Sequence, residues 1–242
     1  MNKQALLRYI NKYTLGGEIK SVKWVSNGKS LATRFISGDK SLVGSVKLNN
    51  FTDVEPSEIG VYNTTQFISL LSILGEDVDF NLQQIGDKFV SVDMSDTQGT
   101  KTKYMLSDLS VIPTPPELKN LPSDFELELQ VDSYFINTFI SGKSALPDTD
   151  TFTILTENDK VSLVIGYSNV ATNRVTLPVE HTEYKDIEPI SFNATMFSNA
   201  LQANKECQKA TLKVSSQGIA TISFNIDDYE SEYYFVATQQ VN

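Results

Sequence analysis

The chain has 242 residues, 40% of them hydrophobic, with 30 acidic and 20 basic side chains and a formal net charge of −10. That length suits one large or two modest domains with ordinary cores, and the acidity excludes a uniformly basic nucleic-acid binder unless the bases gather on one face. A single cysteine, Cys207, excludes an internal disulfide; the stretch 1–17 has no signal-peptide core, and no apolar run reaches membrane-spanning length.

In chain order, the first predicted element is a helix over 3–13. Leu6, Tyr9, Ile10 and Tyr13 follow i, i+3, i+4, i+7 spacing, and Asn2 precedes them as an N-cap. Strands are predicted over 19–25, 30–36 and 44–48, with Asn27-Gly28 as a hairpin turn. In the stretch VYNTTQF, Asn63 caps a helix over 64–74. Tyr62 and Phe67 are set to staple that entry, and Gln66 completes a capping box. Further hairpins close with a strand around Tyr104. The segment 112–122 then holds four of the eight prolines, which predicts an extended, semi-rigid connector.

The same order then begins again. Phe135, Ile136, Phe139 and Ile140 predict a helix over 133–142 capped by Asp132. Strands are predicted over 151–155, 161–167 and 173–179, with Glu157-Asn158-Asp159 as a turn. Asn193 caps a helix from 194, with Phe192 and Phe197 as its staple, and a strand around Tyr234 ends the series. One constant offset of 130 residues relates the halves: SFNATMFSNAL falls under VYNTTQFISLL, and Phe89-Val90-Ser91-Val92 falls over Ile219-Ala220-Thr221-Ile222. The predicted fold class is therefore α+β, two similar domains of antiparallel sheet plus two helices each, over 1–112 and 123–242 with the connector at 113–122. Both Asn63 and Asn193 open Asn-x-Thr triplets, the N-glycosylation pattern. A cap repeated in register accounts for both.

The charges are distributed unevenly. The helix over 3–13 carries Lys3, Arg8 and Lys12 and no acid, that over 133–142 is followed by Lys143, that over 64–74 has no charge, and the helical stretch 194–209 carries Lys205 and Lys209 against Glu206. Nearly all the acids lie elsewhere in the chain. Either short helices simply vary in charge, or these helices form one face presented to a polyanion, with Lys and Arg neutralising phosphates without reading bases.

Catalytic constellations are missing from the sequence. His181 is the only histidine, so neither a histidine metal cluster nor a Ser-His-Asp triad can be assembled. Asp148, Asp150, Asp227 and Asp228 sit in turn-like stretches, the ordinary setting of solvated acids. There is no Gly-rich phosphate loop. Cys207 reads as a packing residue and Trp24 as a core aromatic. No enzyme activity, metal or cofactor is expected.

The doubled domain, the phrase GVYNTTQFISLLSIL (60–74), the proline-containing connector and the ending Tyr233-Tyr234-Phe235-Val236-Ala237 together resemble the DNA polymerase sliding clamps. The likeness is to the T-even-type bacteriophage clamps in particular, in a wider family that includes proliferating cell nuclear antigen. The resemblance implies a homotrimeric ring, helices lining the hole and sheets outside, that encircles duplex DNA, is loaded by an ATP-dependent clamp loader and tethers the replicative DNA polymerase for processivity. It implies the cytoplasm as the setting, a host cell's if the protein is viral, with no membrane contact. Lys3, Arg8, Lys12, Lys143, Lys205 and Lys209 are the residues expected to face DNA. Subunits are expected to join by edge-strand pairing of Lys103, Tyr104, Met105 and Leu106 with Arg174, Val175, Thr176 and Leu177. A partner-peptide pocket is expected from Leu42, Val111, Ile112, Leu118, Leu121, Phe235, Val236 and Ala237, residues that serve equally well as core between the domains. The alternatives are a β-rich trimeric virion structural or assembly protein, and a monomeric viral processivity factor holding DNA on an open basic face.

Overall fold

The computed structural model describes residues 1–118, 121–168, 170 and 172–238. Lys119 and Asn120 of the predicted connector lie outside the described residues. The chain divides into two compact units. One comprises Met1–Ile36, Gly44–Pro115 and Asp227–Ser231; the other comprises Ser37–Val43, the segment from Pro116 to Ile226, and the chain from Glu232 on. Each unit therefore contains a short segment that the sequence offset assigns to the opposite half.

In the first unit the order is α1 (Lys3–Thr14), β1 (Val22–Ser26), β2 (Ser30–Ile36), β3 (Leu42–Asn49), β4 (Ser57–Val61), α2 (Thr64–Ile73), β5 (Val78–Ile85), β6 (Lys88–Asp96) and β7 (Lys101–Met105). In the second it is β8 (Leu127–Asp132), α3 (Ser133–Ala145), β9 (Thr151–Glu157), β10 (Lys160–Ile165), β11 (Val175–Val179), β12 (His181–Glu183), β13 (Ile190–Asn193), α4 (Ala194–Ala203), β14 (Lys209–Ser215), β15 (Ile219–Ile226) and β16 (Tyr229–Val236). Strand order is β4-β1-β2-β3 and β5-β6-β7 in the first, β12-β8-β14-β15-β16 and β11-β10-β9-β13 in the second. From α1 and α3 onward the elements recur in parallel, except that β12 is extra. The α+β architecture with two helices per unit is the one the periodicity predicts.

All four predicted N-caps hold. Asn2, Asn63, Asp132 and Asn193 accept from the amides of Ala5, Gln66, Phe135 and Met196 at 3.0, 3.0, 2.8 and 2.9 Å. Each satisfies a first-turn donor that has no partner within the helix. The staple predicted for α2 does not form, because Tyr62 is 57% exposed. Tyr104 takes its role: its ring lies 5.1 Å from that of Phe67, and its hydroxyl accepts from the Asn63 amide at 2.9 Å. That hydroxyl also occupies the backbone donor that a capping-box Gln66 would need. A strand hydroxyl arriving from 41 residues away outcompetes a local glutamine, since β7 holds it in position.

The cores are aromatic. In the first unit Trp24, 1% exposed, packs edge-on against Phe67 (5.2 Å) and Tyr9 (5.9 Å), and its indole N–H donates to the Tyr13 hydroxyl at 3.2 Å. In the second, Phe197 lies 4.8 Å from both Phe139 and Phe152 and 5.4 Å from Phe235. Ring pairs of this geometry each add about 1 kcal/mol beyond area burial. Turns follow their residues: Gly28 has φ 78°, and Asn158 and Asp159 have φ 52° and 60°, closing the two predicted hairpins.

Candidate nucleic-acid interface

The bases of α1 are largely absorbed by the fold. Lys3 is 8% exposed, and its Nζ donates to the Leu74 carbonyl at 2.5 Å, where α2 ends and its carbonyls carry partial negative charge. Lys12 is fully buried, with its ammonium 5.4 Å from the centre of the Tyr229 ring. Arg8 is half-buried. Its Cζ lies 4.6 Å above the same ring, and its Nη1 meets the Asp227 carboxylate at 2.9 Å. The Tyr229 hydroxyl completes the cluster by donating to the Ala5 carbonyl at 3.0 Å. The turn at 227–229 thus collects two of the cations expected to face DNA. In this conformation Lys12 has no surface to offer a phosphate and Lys3 almost none.

Sequence reasoning took Asp227 for a solvated turn acid and missed Tyr229 altogether. No spacing signal links residues about 220 positions apart. The one local hint is an Asp-Asp turn, with Asp227 at φ 53°, that sets Tyr229 at the start of a strand.

The remaining expected cations differ in setting. Lys143, half-buried at the end of α3, donates to the Pro147 carbonyl at 2.8 Å. Lys205 and Lys209 are exposed, but the helix they were expected to extend ends at Ala203. Lys205 lies in the turn that follows and Lys209 opens β14. Asn204 stops the helix: its side chain donates to the Ala200 carbonyl and to the Tyr233 hydroxyl, both at 2.9 Å. Apart from Lys143, the outward faces of α2 and α3 carry no charge, and beside the exposed Ile73 and Tyr134 they are polar. Their side chains bond back onto their own helices, Ser69 to the Thr65 carbonyl, Ser72 to Ile68, Asn137 to Ser133, Thr138 to Tyr134 and Ser141 to Asn137, over 2.7–3.0 Å. A hydroxyl whose proton is spent this way shows lone pairs outward. It gives a phosphate no grip.

The two strands expected to join subunits are both sheet edges, β7 in β5-β6-β7 and β11 in β11-β10-β9-β13. On β7 and just beyond it, Lys103 and Met105 are exposed, Leu106 is half-buried and Tyr104 points into the core. Lys103 pairs with Asp93 at 3.2 Å. On and beside β11, Arg174 and Thr176 are exposed, Val175 is half-buried and Leu177 is buried.

The expected pocket residues fall into three groups. Leu42 and Phe235 are fully buried and Ile112 is 5% exposed. Leu118, Leu121 and Ala237 are half-buried. Val111 and Val236 are 56% and 42% exposed. In the first unit a groove of about 350 Å³ runs between β1–β2 and the start of the connector, with Val25, Leu109, Ile112 and Pro113 as its apolar lining and Lys23, Arg34 and Glu58 among its polar residues. Ile112 alone of the expected set lines it.

No protein-family model matches the sequence, and no curated sequence does. The structure, however, matches a crystal structure of proliferating cellular nuclear antigen from Entamoeba histolytica. The TM-score is 0.71 over 98% of this chain and 96% of that one, at 17% identity. The fold is that of a sliding clamp. Among the described residues no helix is long and apolar enough to cross a membrane, and no group of three or more His, Cys, Asp or Glu could hold a metal ion.

Proposed function

We propose that the chain is a sliding clamp, a non-enzymatic processivity factor for DNA replication. The observation that carries this is the end-to-end match of the doubled fold to a proliferating cellular nuclear antigen. Three copies close a ring by pairing β7 of one with β11 of the next, which covers two sheet edges that otherwise stand open. Duplex DNA runs through the ring past the uncharged helical faces, with Arg8, Lys143, Lys205 and Lys209 supplying a sparse positive potential. A lining this weak suits retention by topology and free sliding. The replicative polymerase is tethered at the connector, an ATP-dependent loader opens the ring, and the setting is a host cell's cytoplasm, as for a clamp of the T-even phage type.

The test combines mass in solution with polymerase extension on primed circular DNA. A trimer that lengthens products is expected. A stable monomer at micromolar concentration that leaves product length unchanged overturns the reading.

A further inference from the structure

The internal repeat sets the two units apart at one sheet edge. In the second unit β14 is flanked by β15 and, on its other side, by β8, which pairs Lys209 with Asp132, Leu212 with Leu129 and Val214 with Leu127. Its counterpart β5 is flanked only by β6 and ends the sheet. A helix cap stands beside the start of each strand: Asp132 caps α3 and stands opposite Lys209, while Asn2 caps α1 and bridges to Asp77. At the 130-residue offset Phe80 and Leu82 occupy the positions of Ala210 and Leu212, and Leu82 stands opposite Val92 of β6 as Leu212 stands opposite Ile222 of β15. Ala210 and Leu212 are buried beside β8, whereas Phe80 and Leu82 are half-exposed.

The edge is already set for pairing. Met1 and Val78 exchange both backbone bonds, Met1 donating to the Val78 carbonyl at 2.9 Å and the Val78 amide donating to the Met1 carbonyl at 3.0 Å. In an antiparallel ladder such outward-facing pairs recur every second residue. The N–H and C=O of Phe80 and Leu82 therefore point to the same open side, in line with the Met1 pairing. Regular pairing with β6 holds as far as Gln83, where a bulge interrupts it, so the open edge spans about five residues.

Charge selects the occupant. In β14 the solvent-face positions carry Lys209 and Lys213, and Lys213 pairs with Glu128 of β8. In β5 the aligned positions are Asp79 and Gln83, both exposed. The sign is reversed at the first of these and the charge is lost at the second. We infer that the β5 edge binds an extended segment of a partner protein that alternates aliphatic residues with Lys or Arg, adding a strand where β8 lies in the second unit. Backbone bonds supply affinity, the aliphatic residues cover Phe80 and Leu82, and the basic residues face Asp79. A second copy offering its own β5 would set an acidic strand against an acidic strand, which like-charge pairing disfavours. The inference rests on the first unit alone and holds whether or not the chain closes a ring.

The experiment is residue-resolved hydrogen exchange on the full chain, with a capped hexapeptide Val-Lys-Leu-Arg-Leu-Lys and its counterpart with Glu in place of Lys and Arg. Exchange at the Phe80 and Leu82 amides is expected to be fast in the free chain and to slow about tenfold with the basic peptide. Asp79→Lys is expected to transfer that protection to the acidic peptide. Leu82→Pro, tolerated on an edge strand because the lost N–H points outward, is expected to abolish it. Slow exchange at both amides in the free chain, protection at β7 or β11 instead of β5, or no protection at about millimolar peptide overturns the inference. So does Asp79→Lys leaving the preference unchanged.

Discussion

The Arg8 guanidinium lies over the Tyr229 ring while holding the Asp227 carboxylate, so a helix and a hairpin turn at opposite ends of the sequence share one cluster. Truncating Tyr229 removes a buried ring, the platform under both Arg8 and Lys12, and a hydrogen bond to the Ala5 carbonyl. Tyr229→Ala is expected to cost about 3–5 kcal/mol, measured by chemical denaturation. Asp227→Asn removes only a largely exposed ion pair and is expected to cost under about 1 kcal/mol. A Tyr229→Ala effect as small as that of Asp227→Asn would show that the cluster contributes nothing to stability.

Lys12 and the pair Lys205 and Lys209 should separate in a processivity assay. Lys12→Met keeps volume and apolar contact at a buried site, and is expected to retain both the fold and polymerase stimulation. Lys205→Glu combined with Lys209→Glu changes exposed charge, and is expected to shorten products without altering the melting temperature. If the clamp reading holds but Lys12→Met alone abolishes stimulation, Lys12 reaches DNA by a rearrangement of α1.

Tyr104 should matter to the entry of α2 far more than Tyr62. Tyr104→Phe leaves the Asn63 amide without its acceptor and is expected to cost about 1–3 kcal/mol. Tyr62→Ala, at an exposed position, is expected to fall within about 0.5 kcal/mol of the parent chain. Thermal melts of the two variants check this; equal losses would restore Tyr62 as the staple.

Gly60 tolerates no side chain. A Cβ there would lie 2.5 Å from the Ser107 carbonyl oxygen, at the bridge where the Ser107 amide donates to the Gly60 carbonyl at 3.0 Å. Both contacts are backbone, so neither can swing aside. Gly60→Ala is expected to cost about 1–3 kcal/mol, with faster hydrogen exchange at Ser107 as its local sign.

Glu126 gives the fold a defined acid sensitivity. The Ser216 hydroxyl and then the Ser216 amide, donating at 2.6 and 2.9 Å, hold its carboxyl down from the ordinary value of 4.5 to about 2. A depressed carboxylate contributes stability that is present above its unfolded pKa and lost as pH falls through its folded one. The contribution should fade between about 4.5 and 2. Ser216→Ala is expected to raise the Glu126 pKa in an NMR titration and to shift acid unfolding to higher pH. An unmoved titration would show that Ser216 is not the cause.

The local signals in the sequence were strong where the physics is local. An Asn or Asp side chain reaches an amide three residues on, so four N-caps were legible at Asn2, Asn63, Asp132 and Asn193. Apolar spacing located the helices, and a fixed offset of 130 exposed the doubled α+β fold. What the sequence could not settle was where long side chains end. Lys3 and Lys12 read as free charges because nothing near them in the chain answers them; only tertiary packing brings the end of α2 to Lys3 and Tyr229 to Lys12. Tyr104 displaced Tyr62 for the same reason. Asn193 shows both levels in one residue: its Oδ1 caps α4, as the sequence predicts, while its Nδ2 donates to Asp39 at 3.1 Å, a partner 154 residues away. Short-range hydrogen bonds are encoded by spacing, whereas burial and charge pairing depend on which distant surfaces the fold brings together.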